Sequence, residues 1–470
     1  MRSQLILLVL CLAAPQLAAA GELSVGFAEA DITPAVDNPR RPVWLAGYGP
    51  GRQATKVHDP IMVRALVLRD GDDKIAIACA DLVGLQYPAV QQIRAALKDF
   101  RYVLVSSTHN HEAPDVIGIW GRTFAHCGVD DDYLQRVVTQ TVAAIREAEK
   151  QLAPATAHYG TAEDASLLGD SRQPDVRDGV LRVLKFTADD RTTGVLVQWN
   201  CHPECLGSKN KELTADFVGA TVERLKKQHA CPVVYVSGAL GGLMAPPDGK
   251  IFDASGKELL EGDFAYSQHY GKAVAARAGQ AMTAATPITL TPFVVSAQPL
   301  AVRATNPYYR TAQALGVVKR KALVWQGRSD LLGEALTVDN ANGPMAVESE
   351  VGYLQLGELA IAALPGEVYP ELVYGRYPAQ AEPGVDFPSA PLEPAIVDIL
   401  PRKKWLLIGL ANDELGYIIP RRQWDQLAPY AYGRTKSQYG EINSCGPEVA
   451  PLLMQALQQR VKDAAQKSTK

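Results

Sequence analysis

The chain has 470 residues, 47% hydrophobic and 21% charged, with 47 basic against 51 acidic side chains and a formal net charge of −4. That composition excludes a disordered chain and a polycation built for nucleic acid or an anionic membrane surface, and it allows a large buried core. Beyond residue 20 no window approaches 18 uninterrupted apolar residues, so no transmembrane segment is expected.

Met1-Arg2-Ser3-Gln4 precedes an apolar segment from Leu5 to about Ala14 and the small residues Ala18-Ala19-Ala20. This is the order of a secretory signal peptide over residues 1–20, with cleavage expected after Ala20 and a secreted or periplasmic product. Residues 21–470 then hold 46 basic and 51 acidic side chains, a net of −5, and six cysteines. Export permits disulfides, but Cys79 and Cys231 lie in or beside apolar runs and read as core residues.

Asp31-Ile32-Thr33-Pro34 and Trp44-Leu45-Ala46-Gly47-Tyr48-Gly49-Pro50-Gly51 are turn-rich. Val63–Arg69 and Lys74–Ala80 read as strands joined by Asp70-Gly71-Asp72-Asp73. Helical spacing follows over Tyr87–Phe100, then a strand over Arg101–Ser106 and an amphipathic helix over Asp130–Gln151. Extended segments are expected at Ala157–Thr161, Val180–Phe186 and Gly194–Trp199. Thr214 is the expected N-cap of a helix reaching about Gln228, and Pro232–Val236 is a strand that runs into the glycine-rich Ser237–Gly242. Residues 244–263 read as a surface excursion, Phe264–Met282 as a helix, Ile288–Val302 as β-rich and Thr311–Trp325 as helical and basic. Val351–Leu356, Leu359–Leu364 and Trp405–Leu410 are strand-like, and a helix is expected over Pro447–Ala465. Strands and helices interleave without repeat, heptad or linker. One large α/β domain over residues 21–470, with central mixed sheets flanked by helices, is therefore expected.

Chemistry is expected where strands break. Val103-Leu104-Val105 feeds Ser106-Ser107-Thr108-His109-Asn110-His111-Glu112, and extended backbone would send His109 and His111 to one side with Asn110 opposite. A second apolar strand breaks at Asn200-Cys201-His202-Pro203-Glu204-Cys205, a third at Pro365-Gly366-Glu367, and a fourth leads to Gly416-Tyr417. Two imidazoles and a carboxylate from separate strand ends are the ligand set of many catalytic zinc sites. Zinc lowers the pKa of a bound water to about 7, which makes a nucleophile for a carbonyl carbon, and His111 beside the ligands is placed to move the proton. The glycine-rich 237–242 turn lacks a nucleotide-binding pattern and is assigned to close packing around the site.

The set Asp31-Ile32-Thr33-Pro34, Ala46-Gly47-Tyr48-Gly49, Thr108-His109-Asn110-His111, Asn200-Cys201-His202-Pro203, Leu364-Pro365-Gly366-Glu367 and Gly416-Tyr417 resembles the neutral ceramidases. The likeness covers most of the chain in the same order. It implies the ceramidase catalytic fold, one Zn²⁺ held by His109, His202, Glu367 and Tyr417, and His111 as the catalytic histidine. It also implies Arg172, in Asp170-Ser171-Arg172-Gln173-Pro174, and Tyr439, in Tyr439-Gly440-Glu441-Ile442, as site residues; the guanidinium fork of the one and the hydroxyl of the other suit stabilisation of an oxyanion. The activity it implies is hydrolysis of an N-acylsphingosine-type amide, with a lipid or small-molecule substrate.

Two departures stand out. Glu112 and Asp115 add acids beside the second histidine, and only 25 residues follow Cys445, room for one helix but not for the family's terminal β-sandwich. The added acids favour an alternative, a zinc hydrolase acting on a more polar amide or ester. A further alternative is a non-catalytic binding protein on the same scaffold. Cys201 and Cys205 flank His202 and are expected to pack or to form a disulfide rather than bind metal.

Overall fold

Alternation along the strands sends successive apolar side chains into two different cores. In the strand Asp73–Ala80, Ile75, Ile77 and Cys79 face one cluster while Ala76, Ala78 and Ala80 face another. The strand Lys404–Ile408 does the same, with Leu406 and Ile408 on one side and Trp405 and Leu407 on the other. Both faces of each sheet are therefore buried, as expected for sheets covered by helices. The structure, a computed structural model, describes residues 22–247, 251–252, 255–340 and 342–467. The expected signal peptide lies outside the described residues.

Three mixed sheets result. The first runs in the order Tyr102–Ser107, Asp73–Ala80, Met62–Asp70, Ser24–Asp31, Ala153–Pro154, with only the first pair parallel. The second runs Val233–Ser237, Arg191–Trp199, Val180–Ala188, Thr156–Glu163, Thr286–Ile288, again with its first pair parallel. In the third, Phe293–Arg303, Met345–Leu356 and Leu359–Ala363 are antiparallel, and Lys404–Ile408 is parallel to the last. Leu66, Ile77 and Leu104 of the first sheet, Phe186, Leu196 and Val236 of the second, and Leu354, Ile361 and Leu406 of the third share one central cluster. Each such side chain contributes about 1.5–3 kcal/mol by leaving water, so this shared core binds the sheets into one α/β domain.

Helices cover the outer faces. Tyr87–Ala95 and Asp131–Lys150 lie on the first sheet, Asp216–His229 and Phe264–Thr283 on the second, and Val449–Lys467 on the third. Asp131–Lys150 shows why such helices form. Asp130 caps it by accepting from the peptide N–H groups of Asp132 and Tyr133, and Tyr133, Val137, Thr141, Ala144 and Ala148 build its buried stripe. Among the described residues, no helix is long and apolar enough to cross a membrane.

Two expectations need correction. Thr311–Trp325 is not one helix: a helix spans Pro307–Ala314, and Ala322–Val324 pairs as a strand with Met345–Val347. Arg320, inside the expected helix, is instead drawn into the interior to pair with Asp413 at 2.8 and 2.9 Å. Thr214 does not occupy the cap position of the helix Asp216–His229, which belongs to Ala215, although its hydroxyl accepts from the Asp216 N–H at 3.1 Å.

The parallel pairs position the site. Their carboxyl ends meet in one region and are laced together: Gly238 N donates to Trp199 O at 2.9 Å, Gly409 N to Ser237 O at 2.9 Å, and Asn412 N to Val105 O at 2.6 Å. Ligands at the carboxyl ends of parallel strands are the general rule for α/β sheets.

Candidate metal centre

His109 follows the first sheet, His202 the second and Glu367 the third. The strand Tyr102–Ser107 stops before His109, whose φ of 67° turns the chain left-handed. The expected extended alternation is thus absent, yet its outcome is kept. The rings of His109 and His111 lie 4.9 Å apart, while Asn110 turns away to donate to Thr214 O at 2.7 Å. The ring of His202 is 4.8 Å from that of His109 and 5.6 Å from that of His111. One nitrogen from each of the three lies within 4.8 Å of the others, and all three residues are buried.

Glu367 comes closer still. Its Oε2 is 3.0 Å from His202 Nε2 and 3.4 Å from His109 Nε2. The opposite ring nitrogens are fixed, with His109 Nδ1 2.6 Å from Val83 O and His202 Nδ1 2.8 Å from Met244 O. A carbonyl oxygen only accepts, so the proton of each neutral imidazole sits on Nδ1 and the Nε2 lone pair points at Glu367. Two lone pairs facing one carboxylate oxygen repel unless positive charge lies between them. Ligands bonded at about 2.0–2.2 Å on a tetrahedral centre lie about 3.3–3.6 Å apart, close to the spacing here. The donor set therefore fits a metal cation. The same closeness favours positive charge at this point against the cost of burial: Glu367 raises the pKa of His202, and His109 first, then His202, hold the Glu367 carboxyl below the usual carboxylate range, so the pocket calls for one positive charge, a proton or a cation.

Tyr417 is the direct partner of Glu367 in a two-residue parallel ladder, Glu367–Val368 against Tyr417–Ile418, so the two side chains share a face. Its ring lies 6.4 Å from that of His202, and burial and the nearby Glu367 raise its pKa. The turn before it requires glycine: Gly416 has φ +81°, and a Cβ there would meet Asn443 O at 1.6 Å. The segment Glu441–Asn443 packs against the ladder through that gap. Glu414, absent from the sequence reading, steadies the same turn by accepting from Gly416 N at 2.7 Å. The glycine-rich 237–242 turn takes its expected packing role, with Gly241 N donating to Val368 O at 2.9 Å.

Arg172 and Tyr439 also come together here. The Tyr439 ring is 5.8 Å from that of Tyr417, the residue is 45% exposed, and its hydroxyl accepts from Asn443 Nδ2 at 2.6 Å. Arg172 is buried and its fork is occupied. Nη1 donates to Tyr439 O at 2.6 Å and Glu441 Oε2 at 2.9 Å, and Nη2 to Gln423 O at 2.9 Å and Glu441 Oε1 at 2.7 Å. The expectation of a guanidinium fork open to a substrate gives way to a fork that holds the Tyr439 segment. Only Nε is left without a partner.

The two added acids do not supply open charge to the centre. Glu112 is buried against Arg52 at 2.5 Å and Asn210 at 2.7 Å, and Asp115 accepts from the peptide N–H groups of Ile117, Gly118 and Trp120. The acid that faces His111 is Glu204, with Oε2 3.5 Å from His111 Nδ1 and a side chain 19% exposed. Burial pushes its carboxyl up to about 7. Its only signal in the sequence was its place two residues past His202. Burial and the neighbouring His109 and His202 hold the pKa of His111 well below its ordinary range, which favours the neutral ring. Cys201 and Cys205 are buried thiols without a disulfide, the packing role of the two expected. A cavity of 440 Å³ lined by Arg94, Phe100, Tyr102 and Glu350 lies elsewhere and touches none of the histidines.

No protein-family model matches this sequence, and no curated protein sequence does. The solved structures speak instead. A neutral ceramidase from Pseudomonas aeruginosa superposes with a TM-score of 0.70 at 15% identity, over 95% of this chain and 75% of that one. The fold is similar to that of neutral ceramidase. A ceramidase complexed with C2 matches equally well, with a TM-score of 0.70 and 16% identity over 95% of this chain and 76% of the other. At such identity the ceramidase likeness describes the fold and leaves activity to the site itself.

Proposed function

We propose that this protein is an exported, zinc-dependent hydrolase that cleaves an amide bond, with an N-acyl sphingoid base as the first substrate to test. The observation that carries the reading is the pair of imidazole lone pairs, from His109 and His202, aimed at one oxygen of Glu367. Those three residues and Tyr417 would hold one ion. When bound, zinc supplies a Lewis acid that polarises water and the scissile carbonyl.

The remaining steps belong to side chains. Neutral His111 takes the proton that the attacking water releases and returns it to the leaving nitrogen; the C–N bond breaks and a carboxylic acid and an amine depart. The Tyr439 hydroxyl, on the exposed side of Tyr417, donates to the carbonyl oxygen as charge builds on it, and Arg172 acts by holding Tyr439 in place. Likeness to the ceramidases supports the lipid amide. Glu204, a partly exposed acid at His111, favours as a second reading a polar amide or ester whose hydroxyl or amine meets that carboxylate.

Metal content by atomic emission, together with hydrolysis of short-chain ceramide and of polar N-acyl amides with and without chelator, tests the proposal. The expected result is one zinc per chain, chelator-sensitive turnover, and loss of both in a folded His109→Ala/His202→Ala variant. Wild-type protein that is folded, metal-free and inert towards every acyl amide and ester refutes it.

A further inference from the structure

We infer that Glu204 is the positioning residue of His111, accepting its Nδ1–H and so presenting Nε2 as the working nitrogen; this rests on the hydrolase reading above. The first observation is an orphan and its neighbour. His111 Nδ1 is buried without a hydrogen-bond partner, and among the described residues the acid whose oxygen comes within ion-pair distance of it is Glu204, with Oε2 3.5 Å away on a side chain that is 19% exposed. The other acids around the centre have different partners. Glu367 lies against His109 and His202, Glu112 Oε2 against Arg52 and Asn210, Glu414 Oε1 against Gly416 N, and Asp216 accepts from Cys205 N, Phe217 N and the Ser267 hydroxyl; the free Oε1 of Glu112 and Oε2 of Glu414 make no ion pair with His111.

The second observation is that the backbone ties both residues to each other. His111 N donates to Pro203 O at 3.1 Å, one residue before Glu204, and the Tyr48 hydroxyl donates to Glu204 O at 3.2 Å. The Tyr48 ring in turn meets the His111 ring edge-on at 5.0 Å. The imidazole is thus held from the side by Tyr48 and from below by Gly47, and turning it would break these contacts. A small swing of the partly exposed Glu204 side chain shortens 3.5 Å to hydrogen-bond length, as expected of a site that tightens when substrate enters. A carboxylate on one imidazole nitrogen fixes the tautomer and leaves the other nitrogen basic. The proton moved in hydrolysis goes to Nε2 and leaves from it; Glu204 does not take it.

The test uses the zinc-loaded full chain. In ¹⁵N-histidine-labelled protein, with the His111 signals assigned by their loss in His111→Gln, the expected spectrum has a protonated Nδ1 and a bare Nε2. Glu204→Ala shifts the ring towards the other tautomer and lowers kcat about tenfold to a hundredfold, with KM and zinc content unchanged. Glu204→Gln, whose amide oxygen still accepts, restores the tautomer and part of the rate. An Nδ1 that carries no proton in the wild type, a Glu204→Ala variant with full kcat, or one that loses zinc in step with activity each overturns the inference. If the tautomer responds as expected while no acyl amide or ester is turned over, the pairing stands and the hydrolase reading falls.

Discussion

Replacing Gly47 with alanine should remove activity while leaving the metal in place. Gly47 has φ +101°, and a Cβ built on it would sit 2.3 Å from His111 Cγ, 2.6 Å from its Cβ and 2.8 Å from its Cδ2. Ordinary contacts begin near 3.4 Å, so the imidazole must retreat by about 1 Å, and a displacement of that size in a reacting group costs about a hundredfold in turnover. The backbone conformation adds about 1–3 kcal/mol of strain for a residue with a side chain. With an unfolding entropy of about 2.1 cal/mol/K per residue, a chain of this length loses about 1–3 °C in Tm, so the variant stays folded. His109, His202 and Glu367 are not among the nearest atoms the new methyl meets, and zinc content measured by atomic emission should equal the wild type's. A variant with wild-type kcat, or one whose zinc content falls in proportion to its activity, refutes the assignment of His111 as a proton carrier outside the ligand set.

The other predictions concern stability. Glu371 is buried, its Oε2 has no partner, and burial pushes its carboxyl up to about 8. The folded chain keeps a proton that the unfolded chain releases above about 4.5, so this contribution is full below that pH and is lost as pH rises towards 8. Glu371→Gln should flatten the fall of Tm between pH 5 and 8, and identical slopes in the two proteins would count against the idea. Glu441→Leu leaves the Arg172 guanidinium buried and uncompensated, at about 3–5 kcal/mol, whereas Arg172→Met/Glu441→Leu should recover much of that loss; additive urea midpoints disprove the coupling. Asn412→Ala orphans the Val105 N–H that Asn412 Oδ1 accepts at 3.0 Å and removes the donor that reaches Tyr102 and Glu350. At about 1–3 kcal/mol for each buried group left unpaired, a change below 0.5 kcal/mol in chemical denaturation would sink this account.

Much of the molecule was legible in the residues. Continuous apolar runs marked the strands, because burial on both faces leaves no polar alternation and the run breaks sharply where the backbone leaves the sheet, as at Val105–His109 and Trp199–His202. What could not be read was partnership across 60 to 93 residues. Nothing local in Glu112 says that Arg52 will take its charge, and nothing in Arg320 says that Asp413 will pull it out of a helical pattern; the Asp115 cap on the peptide N–H groups of Ile117, Gly118 and Trp120 is local and could have been read as a turn. Glu204 went unread for the same reason, since its significance lies in a nitrogen of His111, 93 positions earlier in the chain.

One consequence of the shared central core reaches beyond the chemistry. Each sheet delivers a different one of the residues proposed as ligands, so on that reading a fragment lacking one sheet would offer an incomplete site, and loading would depend on the whole chain. Binding free energy drawn from a cation held there would be spread over every layer at once, and a weakness introduced far away, in a helix on any outer face, would reach the centre as weaker loading.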